Sequence, residues 1–200
     1  RFTVSAKQCP SYTAKAEDPQ GVPLSAIIVG GRRASLVPLV LEARDWTHGV
    51  LVGASMASET TAAATGAVGV VRRDSMAMKP FAGYNFGDYF AHWLSFDKEG
   101  AKLPKIFQVN WFRKDADGKF MWPGFGDNMR VLEWMLKRVT GQAHAVETPV
   151  GNLPLPSDIN TDGLDLDAAK LEELLSIDRA GWKAEMESIA EYLDEYGDRT

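Results

Sequence analysis

One stretch, residues 105–130, limits the folds open to this chain more than any other part of the sequence. It begins with the apolar run 106–109, which is typical of a buried strand. A polar segment at 114–119 follows, and the glycine-containing segment 123–128 leads directly into an apolar pattern with helical spacing. This order predicts a strand, a hairpin-like turn and a loop that opens a helix, and hence an α/β (mixed α+β) fold.

Aromatic side chains lie on both sides of the polar turn. They are Trp111, Phe112, Phe120, Trp122 and Phe125. Two facing rings can stack on a nucleobase, which contributes roughly 1–3 kcal/mol per base. Backbone N–H groups at the start of the next helix can bind a carbonyl oxygen or a phosphate. The pattern alone favours a packed hairpin with core aromatics, and a base-binding site is the alternative.

A second apolar run, residues 26–29, predicts a buried strand that stops at the sequence Gly-Gly-Arg-Arg, residues 30–33. The glycines allow a tight turn and leave Arg32 and Arg33 at the carboxyl end of the strand, a common ligand position in α/β sheets. A turn with solvated arginines is the alternative, and the sequence alone favours it. No Gly-x-x-x-x-Gly-Lys-Ser/Thr phosphate loop occurs in these 200 residues.

Other apolar patterns place further elements along the chain. We expect strands near residues 25–30, 49–56, 69–72 and 105–110. We expect a helical turn at 37–43 and helices near 86–96, 128–139, 166–176 and 178–196. A segment rich in Pro, Gly and Asp, residues 148–165, predicts a connection.

Residues 58–69 combine alanines with β-branched threonines, are bounded by glycines and carry almost no large side chain. Such a segment forms either a marginal surface helix or a mobile lid, because few buried contacts give a low free energy of opening. The pattern alone favours the surface helix.

Composition excludes several classes of protein. A net charge of -5 argues against a general nucleic-acid binder, which needs a basic face. The sequence contains no run of eighteen apolar residues, so it indicates no membrane span. The single cysteine, Cys9, cannot form an internal disulfide, which fits a reducing, cytoplasmic location. The three histidines are isolated in sequence, and no zinc motif or Ser/His/Asp arrangement is evident.

Taken together, these motifs resemble the C-terminal portion of GTP-dependent phosphoenolpyruvate carboxykinase, in a bacterial form of the high-GC Gram-positive type. Several long motifs in one order make the resemblance specific, and it covers nearly the whole chain, more loosely after about residue 150. The motifs are residues 1–3, 26–33, 53–60, 80–85, 103–107, 109–115 and 120–128.

The resemblance implies the nucleotide-binding portion of a bilobal fold. Residues 1–150 would form part of the C-terminal nucleotide-binding domain, with a lid at about 58–69 and a guanine pocket at 111–128. Residues 151–200 would be a connection and helices of the same domain. Arg1 in place of an initiator methionine, and a charged helical pattern near Thr200, lead us to expect a piece of a longer chain.

The resemblance also implies roles for individual residues. Arg1 and Arg32 would be catalytic and contact the nucleotide phosphate, and Arg1 would also contact the carboxylic substrate. Phe112 and Phe125 would sandwich the guanine, and Trp122 would be core. Trp111 and Phe120 would support the sandwich, while the base edge would be contacted by Gly126, Asp127 and Asn128. The lid would consist of Ser58, Glu59, Thr60, Thr61, Ala62, Ala63, Ala64, Thr65 and Gly66.

Members of this family convert oxaloacetate and GTP to phosphoenolpyruvate, GDP and carbon dioxide in gluconeogenesis, using Mn²⁺ and Mg²⁺. The resemblance implies that the metal ligands and the phosphate loop lie upstream, outside this chain. We therefore expect the piece to need the upstream part of the same enzyme and to be inactive alone. The complete protein would be a cytoplasmic monomer that binds neither nucleic acid nor membranes.

A different class of protein remains as the alternative. In that case the aromatic cluster 111–125 belongs to a non-catalytic module that stacks on a free nucleotide, a sugar or a single strand.

Overall fold

The structure is a computed structural model that describes residues 3–61 and 67–200. Its strands are β1 Ala26–Gly30, β2 Val40–Glu42, β3 Ala57–Glu59, β4 Val71–Arg73, β5 Lys105–Val109, β6 Val146–Thr148 and β7 Gly151–Leu153. Its α-helices are α1 Trp46–Ala54, α2 Phe86–Leu94, α3 Asn128–Val139, α4 Ala168–Leu174 and α5 Arg179–Asp194. Within these ranges no helix is both long enough and apolar enough to cross a membrane.

The main sheet has five strands in the order β1-β5-β2-β7-β6, and β3 and β4 form a separate antiparallel ribbon. Strand β1 runs parallel to β5, with Ile27 opposite Ile106, while β2 is antiparallel to both β5 and β7. A parallel pair buried on both faces needs apolar residues at successive positions, and the run 106–109 supplies most of them. The predicted mixed α/β fold is confirmed.

Helices cover both faces of β5. On one face, Phe107 meets Trp134 of α3 edge to face, with ring centroids 6.0 Å apart. On the other, α1 lies so close that a Cβ on Gly49 would be 2.5 Å from Cδ1 of Ile106. Trp122 is only 1% exposed and joins the α3 side of the core, as predicted. The sheet therefore holds the segments that follow β1 and β5 in fixed positions.

Two secondary-structure predictions are wrong. Most of residues 49–56, predicted as a strand, lies in helix α1, whose first turn is capped by Asp45 through a 2.7 Å bond from the His48 N–H. A short, mostly buried apolar run fits a helix as well as a strand, so periodicity could not separate them. Residues 37–43, predicted as a helical turn, contain β2, because fully buried Val40 and Leu41 fill the centre of the sheet.

The segment 148–165 is more than a connection, because a tight hairpin joins β6 to β7 at its start. The helix predictions are largely confirmed. Helix α3 matches 128–139, and α2, α4 and α5 lie within the predicted ranges.

A buried carboxylate joins three elements around the sheet. Glu42 of β2 is 1% exposed and lies 2.6 Å from Lys105 Nζ at the start of β5. Its other oxygen accepts a 2.5 Å bond from Arg138 Nε near the end of α3. The buried carboxylate is thus paired with two cations, as a buried charge requires.

Candidate functional site

Three features that the sequence singles out lie around one cavity of about 400 Å³. The first is the arginine loop, residues 30–33, which follows β1. The second is the β3–β4 ribbon at the base of the predicted lid, and the third is the aromatic segment, residues 111–125, which follows β5. The lining includes Gly31, Arg32, Ser58, Thr61, Trp111 and Phe112. Because β1 and β5 are parallel neighbours, their carboxyl ends bring two of these features to the same edge of the sheet.

The arginine loop is fastened to the ribbon by its backbone. The Arg32 N–H donates to Ser58 Oγ at 3.0 Å, and the Arg32 carbonyl accepts from the Glu59 N–H at 2.7 Å. This approach requires a glycine, because a Cβ on Gly31 would lie 2.3 Å from the carbonyl oxygen of Ala57. The loop and the base of the predicted lid therefore form one connected unit.

Replacing Gly31 with alanine should separate the arginine loop from the ribbon. We expect a loss of about 1–3 kcal/mol in the free energy of unfolding, the usual cost of forcing an extra methyl group into a packed site. Urea denaturation measures it. Gly83→Ala is the matched control, because its added Cβ meets no atom within 4 Å among the described residues. Equal midpoints for the two variants would contradict this account of the close approach.

The two adjacent arginines have different surroundings. The Arg32 side chain is exposed at the cavity, where Nη2 donates to the Glu59 carbonyl at 3.3 Å. Arg33 points the other way and is buried. Its Nη1 and Nη2 donate hydrogen bonds to the Glu185 carboxylate of α5 at 2.9 and 3.0 Å. A loop with two solvated arginines, the alternative favoured by the sequence alone, is thus wrong for Arg33.

Glu185 also binds the ribbon. Arg73 of β4 donates to Glu185 Oε1 at 2.7 Å and to the Ser55 carbonyl at 3.0 Å. Burial by itself would raise the pKa of Glu185, but the hydrogen bonds and charges of Arg33 and Arg73 together lower it below its usual range. Sequence reasoning missed this cluster, because the partners of Glu185 lie 152 and 112 residues away along the chain.

Asn110 connects the arginine loop to the aromatic segment and was also missed. It is buried directly after β5, and its Nδ2 donates to the carbonyls of Arg33 at 2.8 Å and Val37 at 3.0 Å. Its Oδ1 accepts from the N–H groups of Arg33 at 3.3 Å and Phe112 at 3.2 Å. One side chain therefore sets the position of Phe112 relative to the arginine loop.

Phe112 lines the cavity and is supported from the side. Phe120 meets its ring edge to face, with centroids 5.9 Å apart, and Lys114 Nζ lies 5.4 Å from the centroid of the Phe120 ring. A smaller cavity of about 200 Å³ continues past Phe112 and Phe120 toward Thr60 and Gly69. Arg32 and Phe112 line both cavities.

Phe125 is 95% exposed and has a positive φ of 51°, which is rare for a residue with a side chain. The preceding Gly124 has φ 75° and ψ -162°, a conformation that only glycine adopts readily. Backbone strain of this kind costs about 1–3 kcal/mol and is concentrated at functional sites. Phe125 does not line the 400 Å³ cavity, and the structure does not stack it on Phe112.

Hydrogen bonds fix the second half of the loop that carries Phe125. Trp122 Nε1 donates to Asn128 Oδ1 at 2.9 Å. Arg130 donates through Nε to Asp127 Oδ1 at 3.0 Å and through Nη1 to the Asn160 carbonyl at 2.9 Å. Asp127 occupies the N-cap position of α3 but makes no side-chain capping bond, because the chain enters the helix through a 3₁₀ turn, Phe125–Asp127.

The start of the predicted lid is a strand. Ser58 and Glu59 belong to β3, so the surface helix favoured by the pattern is wrong for these two residues. Past the ribbon, the Thr60 N–H donates to the Val70 carbonyl, and the Gly69 N–H donates back to the Thr60 carbonyl, both at 2.9 Å. The remaining lid residues Ala62, Ala63, Ala64, Thr65 and Gly66, like the predicted catalytic Arg1, lie outside the described residues.

In residues 3–61 and 67–200, no three or more His, Cys, Asp or Glu side chains are grouped so that they could hold a metal ion.

Comparison with known proteins gives a consistent result. The family described as the phosphoenolpyruvate carboxykinase C-terminal P-loop domain matches residues 1–200. Two proteins named phosphoenolpyruvate carboxykinase (GTP) are similar to this chain. The one from Anaeromyxobacter dehalogenans is 55% identical over 197 residues, and the one from Renibacterium salmoninarum is 52% identical over 199 residues. One from Chlamydia trachomatis is 53% identical over 198 residues. Each alignment covers 98% of this chain and 33% of the relative, so the chain spans about a third of their length.

Proposed function

The chain belongs to the family of GTP-dependent phosphoenolpyruvate carboxykinases, and from this premise we propose that it supplies the guanine-nucleotide site of such an enzyme. The reaction is the conversion of oxaloacetate and GTP to phosphoenolpyruvate, GDP and carbon dioxide, the gluconeogenic step. One observation carries the proposal: a single cavity is lined by the arginine loop, the ribbon and Phe112. Cationic and aromatic side chains at one cavity suit a nucleoside triphosphate.

In this proposal Arg32 binds the terminal phosphate of GTP. Phosphoryl transfer spreads negative charge over the equatorial oxygens, and a planar guanidinium presents paired donors to them. The hydrogen bond from Nη2 to the Glu59 carbonyl restrains the side chain at the cavity before any ligand arrives. We also assign to Arg1 a role on the carboxylate of the substrate and on the phosphate. Decarboxylation leaves an enolate, and fixed cations stabilise the charge that develops on it.

The guanine base would occupy the far end of the cavity. Phe112 offers a ring face there, and Phe120 and Trp111 support it. The exposed ring of Phe125 provides the second platform, and Gly126, Asp127 and Asn128 contact the edge of the base. Exposure of an entire aromatic ring on a strained backbone is unfavourable without a ligand, which supports this assignment of Phe125.

We assign the lid role to Ser58–Gly66. A closed lid excludes water and thereby protects the enolate from protonation to pyruvate. Ser58 and Glu59 are bonded to the backbone of Arg32, so closure that starts at Thr60 would act on the residue that holds the phosphate. Binding of the phosphate and closure of the lid would in this way favour each other.

The described residues offer no ligand set for Mn²⁺ or Mg²⁺, so we assign those ions to side chains elsewhere in the protein. The ions would supply positive charge against the phosphates. The phosphate loop is likewise assigned to another part of the protein, since the pattern is absent from this sequence. A monomeric, cytoplasmic enzyme remains our prediction.

An activity assay tests the proposed function. The full-length protein should form phosphoenolpyruvate from oxaloacetate with GTP and show little turnover with ATP. The 200-residue chain alone should show no turnover, because Arg32 and an aromatic pocket do not activate a phosphate without the phosphate loop. Turnover by the chain alone, or equal rates with both nucleotides, would refute the proposal. Nucleotide binding without activity in the full-length protein would favour the non-catalytic module instead.

A further inference from the structure

Trp122 contributes a polar contact from inside the core. Its ring is almost completely buried, and its indole nitrogen lies 2.9 Å from the side-chain oxygen of Asn128, the first residue of α3. An indole N–H can only donate a hydrogen bond, so the Asn128 atom beside it is the oxygen and not the nitrogen. Trp122 therefore determines which way the Asn128 amide points.

The other end of that amide is available to a ligand. Within the part of the chain that the structure describes, Asn128 Nδ2 donates to no protein group, although Asn128 itself is half-buried. The neighbouring Asp127 carboxylate is already bound to Arg130 and does not compete for this donor. The exposed ring of Phe125 precedes Asn128 by three residues. The loop thus presents an oriented N–H₂ donor beside an aromatic platform.

We propose that Trp122 is a positioning residue for base selection: its N–H holds Asn128 so that the amide donates to the 6-position of a purine. This inference rests on the proposed function, in which Asn128 contacts the base edge. Guanine carries an acceptor oxygen at that position and adenine carries an amino group, so the fixed donor pairs with guanine and faces a second donor in adenine. An amide free to rotate would present its oxygen to adenine and lose the distinction.

Two variants separate this role from a structural one. Trp122→Phe removes the indole N–H and keeps an apolar ring in the core. Asn128→Asp keeps an oxygen for the Trp122 bond and places a second oxygen where the donor was. Trp182→Phe is the matched control, because the Trp182 Nε1 is buried without a hydrogen-bond partner among the described residues. The control also removes a buried indole N–H, but one that holds no other side chain in position.

Isothermal titration calorimetry of the protein with GDP and ADP gives the ratio of the two dissociation constants. Trp122→Phe should lower the preference for GDP by roughly tenfold or more, the effect of leaving one polar group unpaired. Asn128→Asp should reverse the preference, and Trp182→Phe should leave it unchanged. If Trp122→Phe does not fold, Asn128→Asp still tests the inference, because a retained GDP preference would show that the Asn128 donor does not select the base.

The outcomes distinguish this inference from the proposed function. A wild-type protein that binds GDP and ADP equally would remove the guanine site and the role of Trp122 together. A wild-type protein that prefers GDP, with a preference that Asn128→Asp removes and Trp122→Phe retains, would overturn only the role of Trp122.

Discussion

Replacing Arg32 with lysine should lower kcat/KM for the GTP-dependent formation of phosphoenolpyruvate by a factor of about 100 to 1,000 in the full-length enzyme, the usual cost of losing one transition-state donor. Lysine retains the charge but loses the planar pair of donors that matches phosphate geometry. The hydrogen bond to the Glu59 carbonyl that restrains the guanidinium would also be lost. Steady-state kinetics with oxaloacetate and GTP measure the change.

The same experiment needs a control for charge and for folding. Arg179→Lys changes an exposed arginine at the first position of α5, far from the cavity lining, and should leave kcat/KM unchanged. Thermal unfolding of Arg32→Lys should match the wild type, because the exposed Arg32 side chain contributes little to packing. A loss of activity smaller than about threefold would contradict the phosphate role of Arg32.

Replacing Glu185 with alanine should destabilise the protein by about 3–5 kcal/mol, the cost of removing one partner from a buried ion pair. Glu185 is the shared partner of Arg33 and Arg73, and the side chains of all three are at least 87% buried. Without the carboxylate, two guanidinium groups lie near each other with no anion between them. The arginine loop and the ribbon then lose their common attachment to α5. Urea denaturation at neutral pH measures the loss.

The pH dependence of that loss identifies its cause. Arg33 and Arg73 hold the pKa of Glu185 below its ordinary value of 4.5 against the opposing effect of burial. For a carboxyl group whose pKa is lower in the folded state, the stabilisation is present above the unfolded pKa and is lost as the pH falls through the folded pKa. The difference between wild type and Glu185→Ala should therefore shrink below about pH 4.5.

Glu187→Ala, two residues along the same helix and exposed, is the control and should change stability by less than about 0.5 kcal/mol. Equal destabilisation by both variants, or a Glu185→Ala effect that does not change with pH, would show that the ion cluster is not what stabilises this region.

The sequence predicted elements well where local signals agreed. Helix α3 begins at Asn128 and ends at Val139 as predicted, because a glycine loop precedes a clear apolar stripe and Gly141 follows it. Strand β5 was evident from its largely apolar run. The burial of Trp122, which the family resemblance implied, is also correct.

Where burial is complete, periodicity carries less information. Strand β2 and helix α1 are both short and mostly buried, and the two were assigned to the wrong classes. The Asp45 cap of α1 was the local signal that could have corrected the second assignment. Strand β2 had no comparable signal, because its conformation depends on strands β5 and β7, which come much later in the chain.

The candidate site shows the same limit. Arg32 and Arg33 are adjacent and chemically identical, so sequence alone could not tell the cavity arginine from the one bound to Glu185. Asn110 and Glu185 were missed because their roles depend on partners brought near by folding. The family resemblance predicts that Arg32, Phe112 and Asn128 contact the ligand, and the contacts that position them are visible only in three dimensions.

The central claim is that the cavity between the arginine loop and the aromatic segment binds a guanine nucleotide. Trp111 lines this cavity, so quenching of intrinsic tryptophan fluorescence reports its occupation directly. GDP should quench the fluorescence saturably. ADP should displace bound GDP only at concentrations about tenfold higher or more, because a donor matched to guanine rejects adenine. Equal competition by ADP, or no quenching by either nucleotide, would contradict the account.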